Sequence, residues 1–259
     1  MIPDLEADRY RPKREHFEKI FAGEVIDRGG HWKEQPLSPE AKYFAFLLKE
    51  KFGEWALVLD EGSGTGGHTL QLANLGLRVI GIEQTASGAA KSNALRRQAD
   101  ISPYRASFVH GDIRFLPFKD GSFSGFHDWC SLSHLHRRDW KDYFNEAARV
   151  TVKGGLGLIL GFSGYDREFY GVPIREDGVA WLEFRDGQVF LENRHGEKYN
   201  RPHDYPEKYE NMSWWFARIN DIKEAAGDNF DIRGIRLSQH PEAHHKGKRH
   251  YLNILLERR

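Results

Sequence analysis

The 259-residue chain has one cysteine, Cys130, and two methionines. A lone cysteine excludes an internal disulfide and any metal site built from several thiolates. No apolar run approaches the roughly 20 residues that a membrane helix needs. The opening stretch, MIPDLEADRYRPKREHF, has no apolar segment of the kind a secretory signal carries. A cytoplasmic protein without a membrane partner is the expectation. Net charge is missing too, since 38 Lys and Arg balance 38 Asp and Glu. Nucleic-acid binding draws much of its affinity from cationic side chains on phosphates, so this balance argues against that partner. No internal repeat and no low-complexity tract occurs. What is present is ordinary for a globular chain, 39% hydrophobic and 29% charged, and it is long enough to bury a core. Phe, Trp and Tyr make up 13%, enough to fill a core or line an apolar pocket.

The first fifty residues read as helical. Apolar residues recur at helical spacing over 14–25, and DRGGHW (27–32) breaks the pattern. Ser38 is placed to cap a second helix that opens at Pro39 and runs to about Phe52. From Trp55 the chain alternates. Strands are expected at 56–62, 78–84, 106–113, 124–131 and 156–163. Helices are expected at 67–76, 87–99 and 139–152, the last stopped by Gly154-Gly155. Such alternation predicts an α/β fold, doubly wound around a mainly parallel seven-stranded sheet. After Ser163 it lapses. Asp186-Gly187 between strand-like runs over 181–194 predicts a β-hairpin. A helix over 212–227 and two strands over 230–239 and 249–258 would close the sheet with an antiparallel pair. The whole of 1–259 is taken as a single domain: an N-terminal helical cover (1–54), a core (55–163), an insert or lid (164–211) and a closing helix and strands (212–259).

The chemistry concentrates at VLDEGSGTGG (58–67), between a strand and a helix. Gly62, Gly64 and Gly66 allow a tight turn and a close ligand approach, and the following helix presents its N-terminus to that ligand. Glu83, at the next strand end, is placed to hold both hydroxyls of a ribose. Gly62, Gly64 and Gly67 also satisfy the dinucleotide pattern G-x-G-x-x-G, with Glu83 about twenty residues on. Two residues separate the readings. Asp60 would repel a pyrophosphate but attract an ammonium group. Asp112, at the end of the third strand, can accept a hydrogen bond from an adenine amine.

The order Asp60-x-Gly62-x-Gly64-x-Gly66, then Glu83, then Asp112, resembles the class I S-adenosylmethionine-dependent methyltransferases, as does FKDGSFSGF (118–126). The resemblance covers residues 55–163. It implies that S-adenosyl-L-methionine is the cofactor. Gly62, Ser63 and Gly64 would then pack against its methionine and ribose parts, Glu83 would hold the ribose, Gln84 would border the adenine, Asp112 would read the adenine amine, and Ile113 would stack beside the ring.

Methyl transfer asks the protein mainly to align an acceptor and exclude water, with a base only where the acceptor must lose a proton. Candidates lie past the fourth strand. Asp128 is placed to orient an amine, take a proton, or bond the cofactor's amino group; it could equally bond its own loop. Asp128-Trp129-Cys130 resembles the Asp-Trp-Gly step of some small-molecule methyltransferases, with Cys130 departing from it. His134 is a candidate base and His136 lies beside it. Trp32, Trp129, Phe162 and Tyr165 are the candidate acceptor-binding residues, and Tyr10, Phe17 and Phe21 are placed to fold over the cofactor. The histidines His240, His244, His245 and His250 lack any ligand spacing, so no metal is expected. The absence of an Asn-Pro-Pro-Tyr type motif favours a small-molecule acceptor. An RNA or protein methyltransferase, an NAD(P)-dependent oxidoreductase and a cofactor-binding module without turnover remain alternatives. Oligomeric state and acceptor atom stay open.

Overall fold

In the computed structural model, described residues are 10–23, 36–165, 168–169, 172–173, 179–193, 195, 197–202, 212–241 and 248–259. The run LVLDE forms β1 (Leu57–Glu61), whose side chains alternate between the two faces of a sheet. Val58 packs with helix α2 (Pro39–Phe52) and helix α3 (Gly67–Asn74) on one face. Leu59 packs with helix α6 (Trp140–Val150) and helix α7 (Ile219–Ala226) on the other. Both are fully buried, worth about 1.5–3 kcal/mol each.

Around β1 lie β2 (Arg78–Glu83), β3 (Ala106–His110), β4 (Phe123–Trp129) and β5 (Thr151–Phe162). The chain closes with β12 (Phe230–Pro241) and β13 (Lys248–Arg258). The strand order is β12-β13-β5-β4-β1-β2-β3. All neighbours pair in parallel except β13, which runs antiparallel to both β5 and β12. The expected mainly parallel seven-stranded sheet is present, with one reversed strand. Helix α4 (Ala86–Gln98) follows β2 and the short α5 (Ser131–His134) follows β4. Among the described residues no helix is long and apolar enough to cross a membrane.

The insert holds β6 (Glu168–Phe169), β7 (Val172–Pro173), β8 (Val179–Arg185), β9 (Gln188–Asn193), β10 (Lys198–Pro202) and β11 (Ser213–Trp215). The order β10-β9-β8-β11 makes a separate small sheet. Its hairpin turns at Asp186-Gly187, where both residues have positive φ, 51° and 67°. Its apolar face, Leu182, Phe184, Val189, Leu191 and Trp214, packs on Phe17 and Phe21 of helix α1 (Arg11–Ala22).

Two sequence expectations need correction. The helix expected over 212–227 starts only at Ile219, where the Asp221 carboxylate accepts the Arg218 N–H at 2.8 Å and caps it. Upstream, Trp214 and Trp215 belong to opposite apolar clusters, a period of two that fits β11 and not a helix. The helix expected to continue to 152 ends at Val150. Thr151 is extended and pairs with Phe123, so the β-branched Thr151-Val152 opens β5 and the glycines at 154–155 fall inside that strand.

Ser38 caps α2 through its hydroxyl, which accepts the Ala41 N–H at 3.0 Å. Ser38→Ala is expected to cost about 1 kcal/mol, read as a lower urea midpoint with an unchanged slope.

Candidate functional site

β1 runs straight into the glycine loop. Gly62, Gly64 and Gly66 all have positive φ (65°, 56° and 87°), a region that side chains resist. Gly62 is also closed by contact: a Cβ there would lie 2.0 Å from Ser131 Oγ. Ser131 Oγ in turn donates to the Glu61 carbonyl at 2.8 Å, which ties the loop to the start of α5. From β2, Glu83 accepts the Gly64 N–H at 3.0 Å and the Thr85 N–H and hydroxyl at 2.9 and 2.8 Å. Burial still pushes its carboxyl above the ordinary range, against the pull of these donors. Ser63 Oγ is buried with no hydrogen-bond partner.

A cavity of about 310 Å³ opens against this loop. Asp60, Gly62, Ser63, Gly64, Glu83, Gln84, Asp112 and Ile113 all line it, so the structure brings together most residues that the sequence singled out for the cofactor. Gly66 lies behind the surface, where a Cβ would strike the Phe108 ring at 2.6 Å. Asp60 is almost wholly buried, accepting from the Thr69 hydroxyl and bonded to His127 Nδ1 at 2.7 Å. Burial alone would raise its pKa, but these partners hold it below the ordinary value. Asp112 accepts the Arg114 N–H at 2.9 Å and pairs with its guanidinium at 2.7 Å.

Asp128 requires correction. Of its two expected roles, facing cofactor or acceptor and bonding its own loop, the structure shows the second: Asp128 is fully buried and does not line the cavity. Neighbouring strand residues point to opposite faces, so Asp60 and His127 share one face while Glu61 and Asp128 share the other. There Asp128 accepts the Ser131 N–H at 2.7 Å, the Leu132 N–H at 3.0 Å and the Tyr143 hydroxyl at 3.0 Å. It therefore caps α5. Burial lifts it to about 7 in spite of those donors. Burial, then Asp128, lifts Glu61 beside it well above the usual range. Cys130, between them and α5, has φ +68° and is buried at the cavity wall. That left-handed conformation is the one a glycine in the Asp-Trp-Gly step would adopt freely.

Of the acceptor-binding candidates, Trp129 and Phe162 line the cavity, as does the candidate base His134. Tyr165 does not; it sits half-exposed in the turn after β5, near the Arg218 guanidinium. Trp32 lies outside the described residues, as do His244, His245 and the side chain of His240. His136 is turned away toward Glu192 at 3.4 Å. Helix α1 covers the opening with Tyr10, Lys13, Phe17, Ile20 and Phe21. It is pinned there: Lys13 Nζ donates to the carbonyls of His134 (2.8 Å) and Ser213 (3.0 Å), and Glu18 accepts the Ala86 and Ser87 N–H groups at the start of α4, each at 2.9 Å.

Sequence reasoning missed His68, Arg114, Met212, Trp214 and Tyr251, all on the cavity wall. His68 was legible in part, because it follows the last glycine in the first turn of α3. The others arrive through long-range packing. Burial first, then His127, pushes His68 down to about 4. Burial and the Lys13 ammonium push His134 well below its ordinary value. Both imidazoles are neutral near pH 7.

Residues 58–155 match the family model described as a methyltransferase domain. No curated protein matches the chain. Among solved structures, a SAM-dependent methyltransferase from Methanosarcina mazei is similar at 18% identity and TM-score 0.63, over 86% of this chain and 99% of that one. Magnesium protoporphyrin IX methyltransferase from Synechocystis PCC 6803, with bound SAM, gives 12% identity and 0.61 over 97% and 98%. The 4+2 cyclase SpnF gives 15% and 0.58 over 96% and 94%. At these identities the structural likeness is one of fold. The family match covers the glycine loop and the next three strands, and the seven-stranded order of the sheet agrees with the fold of these neighbours.

The Glu61–Asp128 pair gives this region a pH dependence. Both carboxyls have folded pKa values raised above their unfolded values, so their contribution to stability is complete below about pH 4 and is lost as pH rises through those raised values, about 7 for Asp128. The lowered histidines His68 and His134 act in the opposite sense, their contribution being lost on acidification. Comparing wild type with Glu61→Gln isolates the acid pair. Between about pH 5 and about pH 8, chemical denaturation is expected to show the variant losing less stability than wild type; parallel curves would place the proton elsewhere.

Proposed function

We propose that the protein transfers a methyl group from S-adenosyl-L-methionine to a small-molecule acceptor held in the cavity beneath α1. The observation that carries this is the gathering of the glycine loop with Asp60, Glu83 and Asp112 on the wall of one cavity. Those carboxylates suit an ammonium, a ribose and an adenine amine, and Asp60 opposes a pyrophosphate. The residues fit the cofactor in a second respect. Ser63 Oγ is a buried polar atom with no partner, and Glu83 Oε2 accepts one donor only, so both keep hydrogen-bonding capacity. Gly62, Ser63 and Gly64 would hold the methionine and ribose parts, and Gln84, Asp112 and Ile113 the adenine. When bound, S-adenosylmethionine supplies a methyl group activated on a sulfonium.

The chain's own work is then placement and exclusion of water. Helix α1 and the small sheet close the cavity with apolar side chains. Asp128 is a positioning residue: it fixes α5, and through Ser131 the glycine loop. His134, neutral and on the wall, is placed to take a proton from an acceptor that must lose one. A small acceptor is supported by the size of the cavity, about 310 Å³, and by a fold neighbour that methylates magnesium protoporphyrin IX. The likeness to a 4+2 cyclase favours a second reading, in which the fold serves a reaction other than methyl transfer.

Calorimetry is expected to show binding of S-adenosylmethionine and S-adenosylhomocysteine and none of NAD. Glu83→Ala should weaken that binding by about 10- to 100-fold, the worth of hydrogen bonds to a charged group. Release of S-adenosylhomocysteine on addition of a thiol, amine or phenol panel separates methyl transfer from the second reading.

A further inference from the structure

One wall of the cavity is a continuous file of rings. His68 meets Trp129 at 4.3 Å between centroids, and Trp129 meets Tyr251 at 6.1 Å. Tyr251 meets Phe162 at 5.6 Å, Phe162 meets Trp214 at 6.5 Å, and Trp214 meets His134 at 6.0 Å. The rings come from α3, β4, β13, β5, β11 and α5, so six separate elements converge to build one surface. A histidine stands at each end. Each keeps one buried ring nitrogen without a hydrogen-bond partner, Nε2 in His68 and Nδ1 in His134. Burial holds both neutral.

No carboxylate belongs to this file. The acids on the cavity wall, Asp60, Glu83 and Asp112, stand at the strand ends around the glycine loop and already accept hydrogen bonds. The Lys13 ammonium is bonded to two carbonyls. A cationic amine on the ring wall would find ring faces to attract it, but away from Asp60 at the His68 end it would meet no carboxylate to replace the hydrogen bonds of its hydration shell. A flat aromatic molecule would instead pack on these rings, which meet one another tilted or edge-on and so leave faces and edges open to a further ring. Its polar edge would meet the unpartnered imidazole nitrogens.

We propose that the acceptor is an uncharged planar aromatic molecule bearing a ring hydroxyl or ring N–H, stacked on this wall with its polar edge hydrogen-bonded by His68 or His134. The proposal rests on the methyl-transfer reading and narrows its acceptor class. His68 and His134 are its specificity-determining residues.

The test uses the full chain saturated with S-adenosylhomocysteine, whose own binding is measured first. Calorimetry then compares 2-naphthol, naphthalene and 4-cyclohexylbutylamine. The expected order is 2-naphthol tightest, with naphthalene and the amine each weaker by about tenfold or more, the worth of one neutral hydrogen bond. His68→Phe and His134→Phe together should bring 2-naphthol to the affinity of naphthalene while leaving naphthalene within about twofold. The wild-type comparison stands even if that variant does not fold. An amine that binds as tightly as 2-naphthol overturns the proposal and leaves the cofactor reading intact. So does a 2-naphthol affinity no better than that of naphthalene. Failure of S-adenosylhomocysteine to bind overturns the methyl-transfer reading and the proposal with it.

Discussion

At Gly62 the main chain passes so close to Ser131 that a Cβ would lie 2.0 Å from its hydroxyl oxygen. This approach joins the end of β1 to the start of α5, and the rest of the site is arranged around it. The Ser131 hydroxyl holds the Glu61 carbonyl, and the Ser131 N–H is held by Asp128. The loop that carries Ser63 and Gly64 therefore cannot move without disturbing the turn that carries Cys130 and His134. Neighbouring parallel strands impose this proximity, since β1 and β4 pair in register from Val58 to Glu61.

That register also sorts the charges. Asp60 and His127 stand opposite each other on one face and bond at 2.7 Å, so Asp60 keeps its charge. One residue on, Glu61 and Asp128 stand opposite each other on the other face, and both are raised. Two like acids in a dry space cannot both ionise cheaply, and the Tyr143 hydroxyl does not neutralise either. The same step along two strands thus yields a charged group on the cavity wall and a proton-holding pair beneath it. The pair stiffens the turn because Asp128 has its lone pairs committed to backbone N–H groups and to Tyr143.

The parallel core was legible because its signals are local. Apolar runs ended in glycine at Gly62 and Gly76, Ser38 preceded Pro39, and Asp186-Gly187 announced its hairpin. The cofactor residues were legible for the same reason, since the end of a parallel strand is a fixed address in this fold. Asp128 misled because a strand-end position says nothing about which face a side chain takes; that is set by register with β1. Trp214 was hidden inside an apparently helical stretch, and its strand character depends on pairing with β8, some thirty residues away. Cys130 weakened the family likeness in the sequence. The positive φ at that position shows that its backbone shape is the one a glycine would take.

The cavity divides along the chain's own organisation. Its charged side is made from the ends of β1, β2 and β3, where backbone geometry fixes each acid. Its aromatic side draws on α3, β4, β5, α5, β11 and β13, with α1 over it, and of these β11, β13 and α1 lie outside that local motif. His68 and His134, at the two ends of the ring file, are tied to the loop through α3 and α5, whereas Phe162, Trp214 and Tyr251 come from other elements, and sites without shared partners respond to substitution nearly independently. A change at Trp214 or Tyr251 reshapes the wall while Gly62, Glu83 and their hydrogen bonds stay in place. The loop and the wall are thus separable parts of one cavity. The loop follows from the parallel sheet. The wall is a property of the particular side chains that the insert and the last strand bring to it.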